Sequence, residues 1–89
     1  MEDNQELSEL QEIARVATFS ALEGYEPVPE AWRTNLTLGT FFENGFCIFE
    51  LYVAGSRPKD AITISSARVN RETRAVEVLI TNLAKRVFA

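Results

Sequence analysis

Residues 34–53 read TNLTLGTFFENGFCIFELYV, two strand-like runs that meet at Asn44-Gly45. A two-residue type I′ turn needs positive φ at both central residues, and Asn-Gly adopts this geometry readily. With such a turn, Glu43 lies opposite Phe46, and every earlier residue pairs with a later one in antiparallel register. The stretch therefore predicts a β-hairpin on which the rest of the chain is organised.

The period of two along a strand sorts the hairpin side chains onto two faces. We expect one face to belong to the core: Leu36, Leu38, Thr40, Phe42, Cys47, Phe49, Leu51 and Val53. On this assignment Phe42→Ala removes core packing, whereas Phe41→Ala costs much less. The opposite face, called the outer face below, mixes aromatic and charged side chains: Thr37, Gly39, Phe41, Glu43, Phe46, Ile48, Glu50 and Tyr52.

An amphipathic helix is predicted before the hairpin. Asp3 and Glu6 have the D-x-x-E spacing of a capping box, and Gly24 suits the end of a helix. Phe19 projects nearly opposite the apolar stripe, so it is either covered by the next loop or an exposed contact residue. The stripe itself has helical spacing: Leu7, Leu10, Ile13, Ala14, Ala17 and Ala21.

Two more strands are predicted after the hairpin. In residues 61–69 the apolar side chains alternate on even-numbered positions first (Ile62, Ile64) and on odd-numbered positions later (Ala67, Val69). A bulge near Ser65-Ser66 would return the later apolar residues to the core face. Residues 75–82 alternate cleanly, with Leu79 on the outward side. Earlier in the chain, Ala31-Trp32-Arg33 is expected to begin the first strand, with Trp32 anchoring one edge of the core.

The predicted architecture is a single α+β domain over residues 1–89. It has an N-terminal helix (1–24), a four-stranded antiparallel meander sheet (31–82) and a tail (83–89). Two arrangements of the tail stay open. Leu83, Val87 and Phe88 either fold back over the outer face or leave it free for a partner protein or a second copy of the chain.

Composition and charge narrow the class of protein. One cysteine cannot form an internal disulfide, which predicts a reducing, cytoplasmic setting. No apolar run approaches the length of a membrane span, and Met1-Glu2-Asp3 is unlike a signal peptide. Residues 1–50 hold ten acids and two bases, whereas residues 51–89 hold three acids and seven bases. Either these charges are solvated, or the acidic end meets a cationic partner.

A search for catalytic chemistry finds no motif. The chain has no histidine, which a hydrolase triad or a typical zinc site would use. Cys47 lies on the predicted core face, and Glu43 and Glu50 lie on a strand face without a cleft. An acidic chain with no basic helix is a poor nucleic-acid binder. We therefore expect no enzyme activity, no cofactor, no metal and no nucleic-acid partner.

Exposed aromatic residues on a sheet are the remaining functional signal. A contiguous apolar patch usually marks an interaction site. We predict a protein-binding surface on the outer face, extended by the fourth strand: Phe41, Phe46, Ile48, Glu50, Tyr52 and Leu79. A secondary candidate lies on the helix, where acids could steer a basic partner: Glu9, Glu12 and Phe19.

Two segments resemble a known family. Residues 67–76, ARVNRETRAV, resemble the V-D-x-x-T-G-x-V turn of PepSY-like domains, and small immunity proteins of bacterial toxin systems carry a similar turn. Residues 45–50, GFCIFE, are similar to the G-[FW]-x-[FV]-x-[FV] strand that precedes it. The chain has Asn70 where the family has Asp, and Arg74 where it has Gly. Losing that Gly disfavours a type I turn followed by a left-handed residue.

The resemblance implies a non-enzymatic module that blocks a toxin or a peptidase by occupying its surface. Cystatins also lay a helix on an antiparallel sheet, and Val53-Ala54-Gly55 is similar to their inhibitory loop, although the rest of that motif is missing. The leading expectation is an inhibitor or immunity-like protein. One alternative is a self-associating, homodimeric accessory domain. Another is a phage-encoded inhibitor of a host nuclease, with the acidic half as its contact.

Overall fold

A computed structural model describes the backbone of residues 2–87 and the side chains of residues 5–87. Its helices and strands are α1 (Glu2–Leu22), α2 (Glu30–Arg33), β1 (Leu36–Glu43), β2 (Phe46–Val53), β3 (Ile62–Asn70) and β4 (Val76–Ile80). The strands form one antiparallel sheet in the order β1-β2-β3-β4. The predicted α+β meander is confirmed. The predicted capping contact of Asp3 lies outside the described side chains.

The hairpin forms as its turn residues predict. Asn44 has φ 50° and Gly45 has φ 83°, the two positive values of a type I′ turn. Glu43 lies opposite Phe46, and the ladder continues without interruption to Leu36 and Val53. Turn chemistry alone was therefore enough to set the register of β1 on β2.

A bulge in β3 corrects its side-chain parity. Tyr52 lies opposite Thr63, but the neighbouring Leu51 lies opposite Ser65, so Ile64 is an extra residue in β3. One extra residue reverses the alternation and places apolar residues on the same face before and after it. The predicted bulge is confirmed, one residue ahead of the Ser65-Ser66 pair.

The entry to the sheet differs from the prediction. Ala31, Trp32 and Arg33 do not begin β1 but form a helical turn, and β1 starts at Leu36. The Trp32 amide donates to the Pro29 carbonyl at 2.9 Å, and the Asn35 amide donates to the Trp32 carbonyl at 3.1 Å. These local bonds satisfy backbone groups that have no strand opposite them. Trp32 is half-buried and does not belong to the core cluster.

The helix α1 lies off-centre on the sheet. It packs mainly against β4 and β3, less against β2 and hardly against β1. The buried cluster accordingly joins α1 to β2 and β3: Leu10, Ala14, Cys47, Phe49, Ala67 and Val69. The expectation that β1 contributes to the core is wrong at Leu38 and Phe42, which are 50% and 55% exposed. Both lie on the helix side of the sheet, but the helix does not reach them.

The tail is held beside the end of α1. The Glu26 amide donates to the Ala84 carbonyl at 2.7 Å, and the Arg86 amide donates to the Gly24 carbonyl at 2.9 Å. Val87 is almost fully exposed, so it does not cover the outer face. Phe88, the other predicted covering residue, lies outside the described residues.

Candidate functional site

The predicted outer-face residues of the hairpin lie together in the structure. Phe41 is opposite Ile48 on β2, and Arg68 of β3 is opposite Ile48 on its other side. The Arg68 guanidinium lies 4.0 Å from the centroid of the Phe46 ring, a cation–π contact. Ile48 is only 8% exposed, although α1 packs on the other side of the sheet. Neighbouring side chains therefore cover the centre of this face.

Tyr52 has a structural contact on the same face. A Cβ atom at Gly39 would lie 3.3 Å from the Tyr52 Cε1 atom, so the ring occupies the space beside the glycine. An aromatic side chain that covers a strand glycine shields backbone that would otherwise face water. Tyr52 is half-buried for this reason, and only part of its ring is open to a partner.

Leu79 does not join the other predicted residues. It lies opposite Ser66, which in turn lies opposite Glu50, so β3 separates Leu79 from the hairpin. Two interstrand spacings place it roughly 10 Å from the β2 backbone. Leu79 is 64% exposed and forms a separate site of exposure. The predicted patch is thus a hairpin group and one isolated leucine.

A groove that the sequence did not predict runs between α1 and β1. Because the helix lies off-centre, a mostly apolar space of about 200 Å³ opens beside it. Its sheet side consists of Leu38 of β1, Phe49 and Leu51 of β2, and Ser65 of β3. Its helix side consists of Gln11, Ala14, Arg15, Thr18, Phe19 and Leu22. We call this space the α1–β1 groove.

Phe19 gives the groove an exposed aromatic wall. It is 60% exposed, so the next loop does not cover it, and the other predicted possibility, an exposed residue, holds. The Arg15 guanidinium lies 5.6 Å from the Phe19 ring centroid and also donates to Glu12 at 2.9 Å. The groove was missed because Leu38 was assigned to the core. Its one sequence signal was the position of Phe19 outside the apolar stripe.

The acids of α1 whose side chains are described, Glu6, Glu9 and Glu12, have partners within the chain. Arg71 donates to both carboxylate oxygens of Glu6 at 3.0 and 3.1 Å, and Arg74 lies 3.4 Å from a Glu9 oxygen. The hydrogen bond from Arg71 lowers the pKa of Glu6, and the one from Arg15 lowers the pKa of Glu12. The cationic partner of this acidic surface is therefore largely the chain itself.

The β3–β4 turn keeps the geometry that a glycine would favour. Arg74 has φ 67°, in the left-handed region where the resembling family has Gly. The Asn70 side chain supports the turn, because its Oδ1 accepts from the amides of Glu72 and Thr73 at 2.9 and 3.0 Å. The turn is therefore left-handed at position 74 although this residue is not glycine. The strained residue supplies a side chain that reaches α1.

Cys47 is fully buried, and its burial raises the pKa of the thiol. A buried thiol with a raised pKa is a poor nucleophile. In the described part of the chain, no three residues of the types that bind metal ions are grouped at metal-binding distances. Likewise, none of the described helices is both long and apolar enough to cross a membrane.

Comparison with known proteins gives no relative: no protein-family model, curated protein or solved structure matches this chain. The resemblance to PepSY-like domains and toxin-immunity proteins therefore stays a prediction.

Proposed function

We propose that this chain is a small non-enzymatic domain that binds another protein, as an inhibitor or immunity-like protein in the cytoplasm. One observation carries the proposal. Large apolar side chains are exposed on the helix side of the sheet and on α1: Phe19, Leu38 and Phe42 are each 50–60% exposed, and Phe41 is 42% exposed on the opposite face of β1. Such a concentration in 89 residues is typical of an interaction surface rather than of a solvated one.

The shape of this surface supports a protein partner. The α1–β1 groove is concave and apolar, with the charged Arg15 at its side. Binding hot spots consist of anchors that fill such pockets, surrounded by polar groups that exclude water. A toxin or a peptidase that places an apolar side chain between Phe19 and Leu38 is the partner that we propose.

The outer face becomes the secondary contact in this proposal. Ile48 is covered, Phe46 lies under Arg68, and Tyr52 packs over Gly39, which leaves Phe41 as its most open aromatic residue. The nuclease-inhibitor alternative has less support, because Arg71, Arg74 and Arg15 already pair with acids of α1.

Matched leucines allow a sharp test. Once a partner has been identified by affinity capture and purified, Leu38→Ala should weaken its binding by about 2 kcal/mol or more, as hot-spot truncations do. Leu79→Ala is the control, because it removes an equally large and even more exposed strand side chain away from the groove. Binding kinetics of both variants decide the result. Loss of binding in the Leu79 variant alone would overturn the groove assignment.

Tyr52→Ala tests the outer face in the same assay. We expect a smaller loss of affinity than for Leu38→Ala, because much of the Tyr52 ring is used inside the hairpin. A Glu9→Lys/Glu12→Lys variant tests the acidic helix, where charge reversal should mainly slow association and alter its salt dependence. The proposed surface would be contradicted if the partner bound the Leu38 and Tyr52 variants as tightly as the parent but did not bind the Glu9→Lys/Glu12→Lys variant.

A further inference from the structure

The strand β1 is an open edge without the usual protection against pairing. It is eight residues long, contains no proline or lysine, and carries a single charge, Glu43, at its end. Natural edge strands are usually short, charged, bulged or covered. The opposite edge, β4, has only five residues, carries Glu77 near its centre and packs against α1. Of the two edges, β1 is the one suited to accept another strand.

The register fixes which backbone groups of β1 are available. The Ala54 amide donates to the Asn35 carbonyl at 3.0 Å, so odd-numbered residues from Asn35 onward face β2. Alternation then directs the amides and carbonyls of Leu36, Leu38, Thr40 and Phe42 away from the sheet. Within residues 2–87, these outward groups have no backbone partner. They form a continuous row of donors and acceptors.

We propose that a second copy of this chain occupies this edge, with the two β1 strands antiparallel about a two-fold axis at Thr40. In both copies the outward backbone amides and carbonyls belong to even-numbered residues of β1. Hydrogen bonds therefore form only in registers that place an even-numbered residue opposite an even-numbered residue of the second copy. The Thr40 register aligns residues 37–43 of both copies. It extends the two four-stranded sheets into one sheet of eight strands.

The side chains of β1 are self-complementary in this register. On the helix side, Leu38 lies opposite Phe42 of the second copy, so two exposed apolar residues cover each other. On the outer face, Phe41 of the second copy lies opposite Gly39, beside the Tyr52 ring that covers this glycine, and Glu43 of one copy lies opposite Thr37 of the other. Cross-strand apolar pairs stabilise a sheet, and like charges stay apart.

Neighbouring registers fit less well. An axis at Gly39 places two glycines opposite each other and pairs Phe42 with Leu36 rather than with the exposed Leu38. An axis at Phe41 shortens the paired segment and puts Glu43 opposite Gly39. Among these three registers, only the Thr40 register places the exposed Leu38 opposite the exposed Phe42. This match favours a second copy over the strand of an unrelated protein.

This dimer goes beyond the proposed function and does not depend on it. The two-fold axis is perpendicular to the extended sheet, so both α1 helices lie on the same side. The two α1–β1 grooves then open towards each other across the paired strands. A partner protein would meet one broad surface with apolar walls rather than two separate grooves.

Thr40→Pro tests the interface without disturbing the hairpin. Proline removes only the outward amide of Thr40, and an edge strand tolerates proline where its amide faces solvent. Sedimentation equilibrium over a concentration range should find the parent at twice its chain mass of 10.0 kDa. Because symmetry removes two hydrogen bonds, Thr40→Pro should raise the dissociation constant at least about tenfold. Thr40→Ala, which keeps the amide, should dimerise like the parent.

Disulfide cross-linking tests the register. In a Cys47→Ala background, Thr40→Cys should form a covalent dimer under mild oxidation, because directly opposed residues have Cα atoms about 5.5 Å apart. Leu36→Cys should not form a covalent dimer, since the Leu36 positions of the two copies lie at opposite ends of the paired strands. A parent that is monomeric at every concentration overturns the proposal. So does a dimer that Thr40→Pro leaves intact, or a β1 edge that becomes protected from hydrogen exchange only when another protein is added.

Discussion

Arg71, in the turn between β3 and β4, donates two hydrogen bonds to the carboxylate of Glu6 at 3.0 and 3.1 Å, across 65 positions of the chain. With the Arg74–Glu9 contact, it joins the basic second half of the sequence to the acidic first half. The uneven charge of the chain therefore serves an internal contact that holds α1 on the sheet. This arrangement leads to the first prediction.

The protein should become less stable as the pH is lowered, and part of this loss should come from Glu6. The hydrogen bond from Arg71 lowers the pKa of Glu6 in the folded protein. Its contribution is complete above the ordinary glutamate pKa, about 4.3, and is lost as the pH falls through the lower folded value. Urea unfolding between pH 7 and pH 3 should show a steeper loss in the parent than in Glu6→Gln.

The control for this experiment is Glu43→Gln, since Glu43 makes no ion pair with the described residues. It should keep the pH dependence of the parent. If Glu6→Gln also keeps that dependence, the Arg71–Glu6 contact does not contribute to stability in solution.

Replacing Arg74 separates its backbone strain from its ion pair. Arg74→Ala and Arg74→Gly both remove the contact with Glu9, but only Gly relieves the left-handed φ of 67°. The Gly variant should be more stable than the Ala variant by about 1 kcal/mol. Chemical denaturation measures the difference. An Ala variant as stable as the Gly variant would mean that position 74 is not left-handed in solution.

Core truncations should reflect the off-centre helix. Phe49→Ala should cost about 3–5 kcal/mol, because Phe49 is buried between α1 and the sheet. Phe42→Ala should cost much less, since 55% of Phe42 is exposed; the Arg71 guanidinium lies 5.0 Å from its ring centroid. Equal losses in denaturant titrations would place the helix over β1.

Gly55 should resist substitution for a steric reason. A Cβ atom there would lie 2.6–2.8 Å from Asp60 atoms, including its backbone carbonyl. Gly55→Ala should therefore displace the Pro58–Asp60 turn and cost about 1–3 kcal/mol in thermal or chemical unfolding. Gly24→Ala is the control, because a Cβ there would make an ordinary 3.8 Å contact. A neutral Gly55→Ala would show that this loop adjusts freely.

Cys47 should react slowly with thiol reagents in the native protein and rapidly after unfolding. It is fully buried, and its burial raises the pKa of the thiol. A Ser56→Cys variant in a Cys47→Ala background should react at once, since Ser56 is exposed. Fast native labelling of Cys47 would contradict its position in the core.

The features that sequence predicted correctly depend on local chemistry. Asn44-Gly45 specified its own turn, and the turn set the register of eight residue pairs. The apolar residues of 61–69 alternate on two different sets of positions, which was enough to require a bulge. Without the extra residue, one of the two sets would face away from the core. The position of Phe19 outside the helical stripe left a covered and an exposed residue as alternatives, and the structure shows the exposed one. Each of these inferences involved residues close in sequence.

The features that were missed depend on how elements lie against each other. Periodicity identifies the apolar side of α1 but does not specify which strands it covers, so Leu38 and Phe42 were wrongly placed in the core. The pairing of Arg71 with Glu6 was missed for the same reason. The helical turn at Trp32 was missed because a short segment after proline has almost no periodic signal.

The position of α1 also has a consequence for how the protein acquires its structure during synthesis. The helix leaves the ribosome before the sheet, and β3 and β4, which supply Ala67, Val69 and Val78 to its packing, follow the hairpin. At 5–20 residues per second, roughly 3 to 14 seconds separate Leu10 from Val78. The hairpin can close within that interval because its contacts are local, whereas the apolar side of the helix stays open to chaperones and proteases. Full burial of the helix therefore waits for the hairpin of β3 and β4.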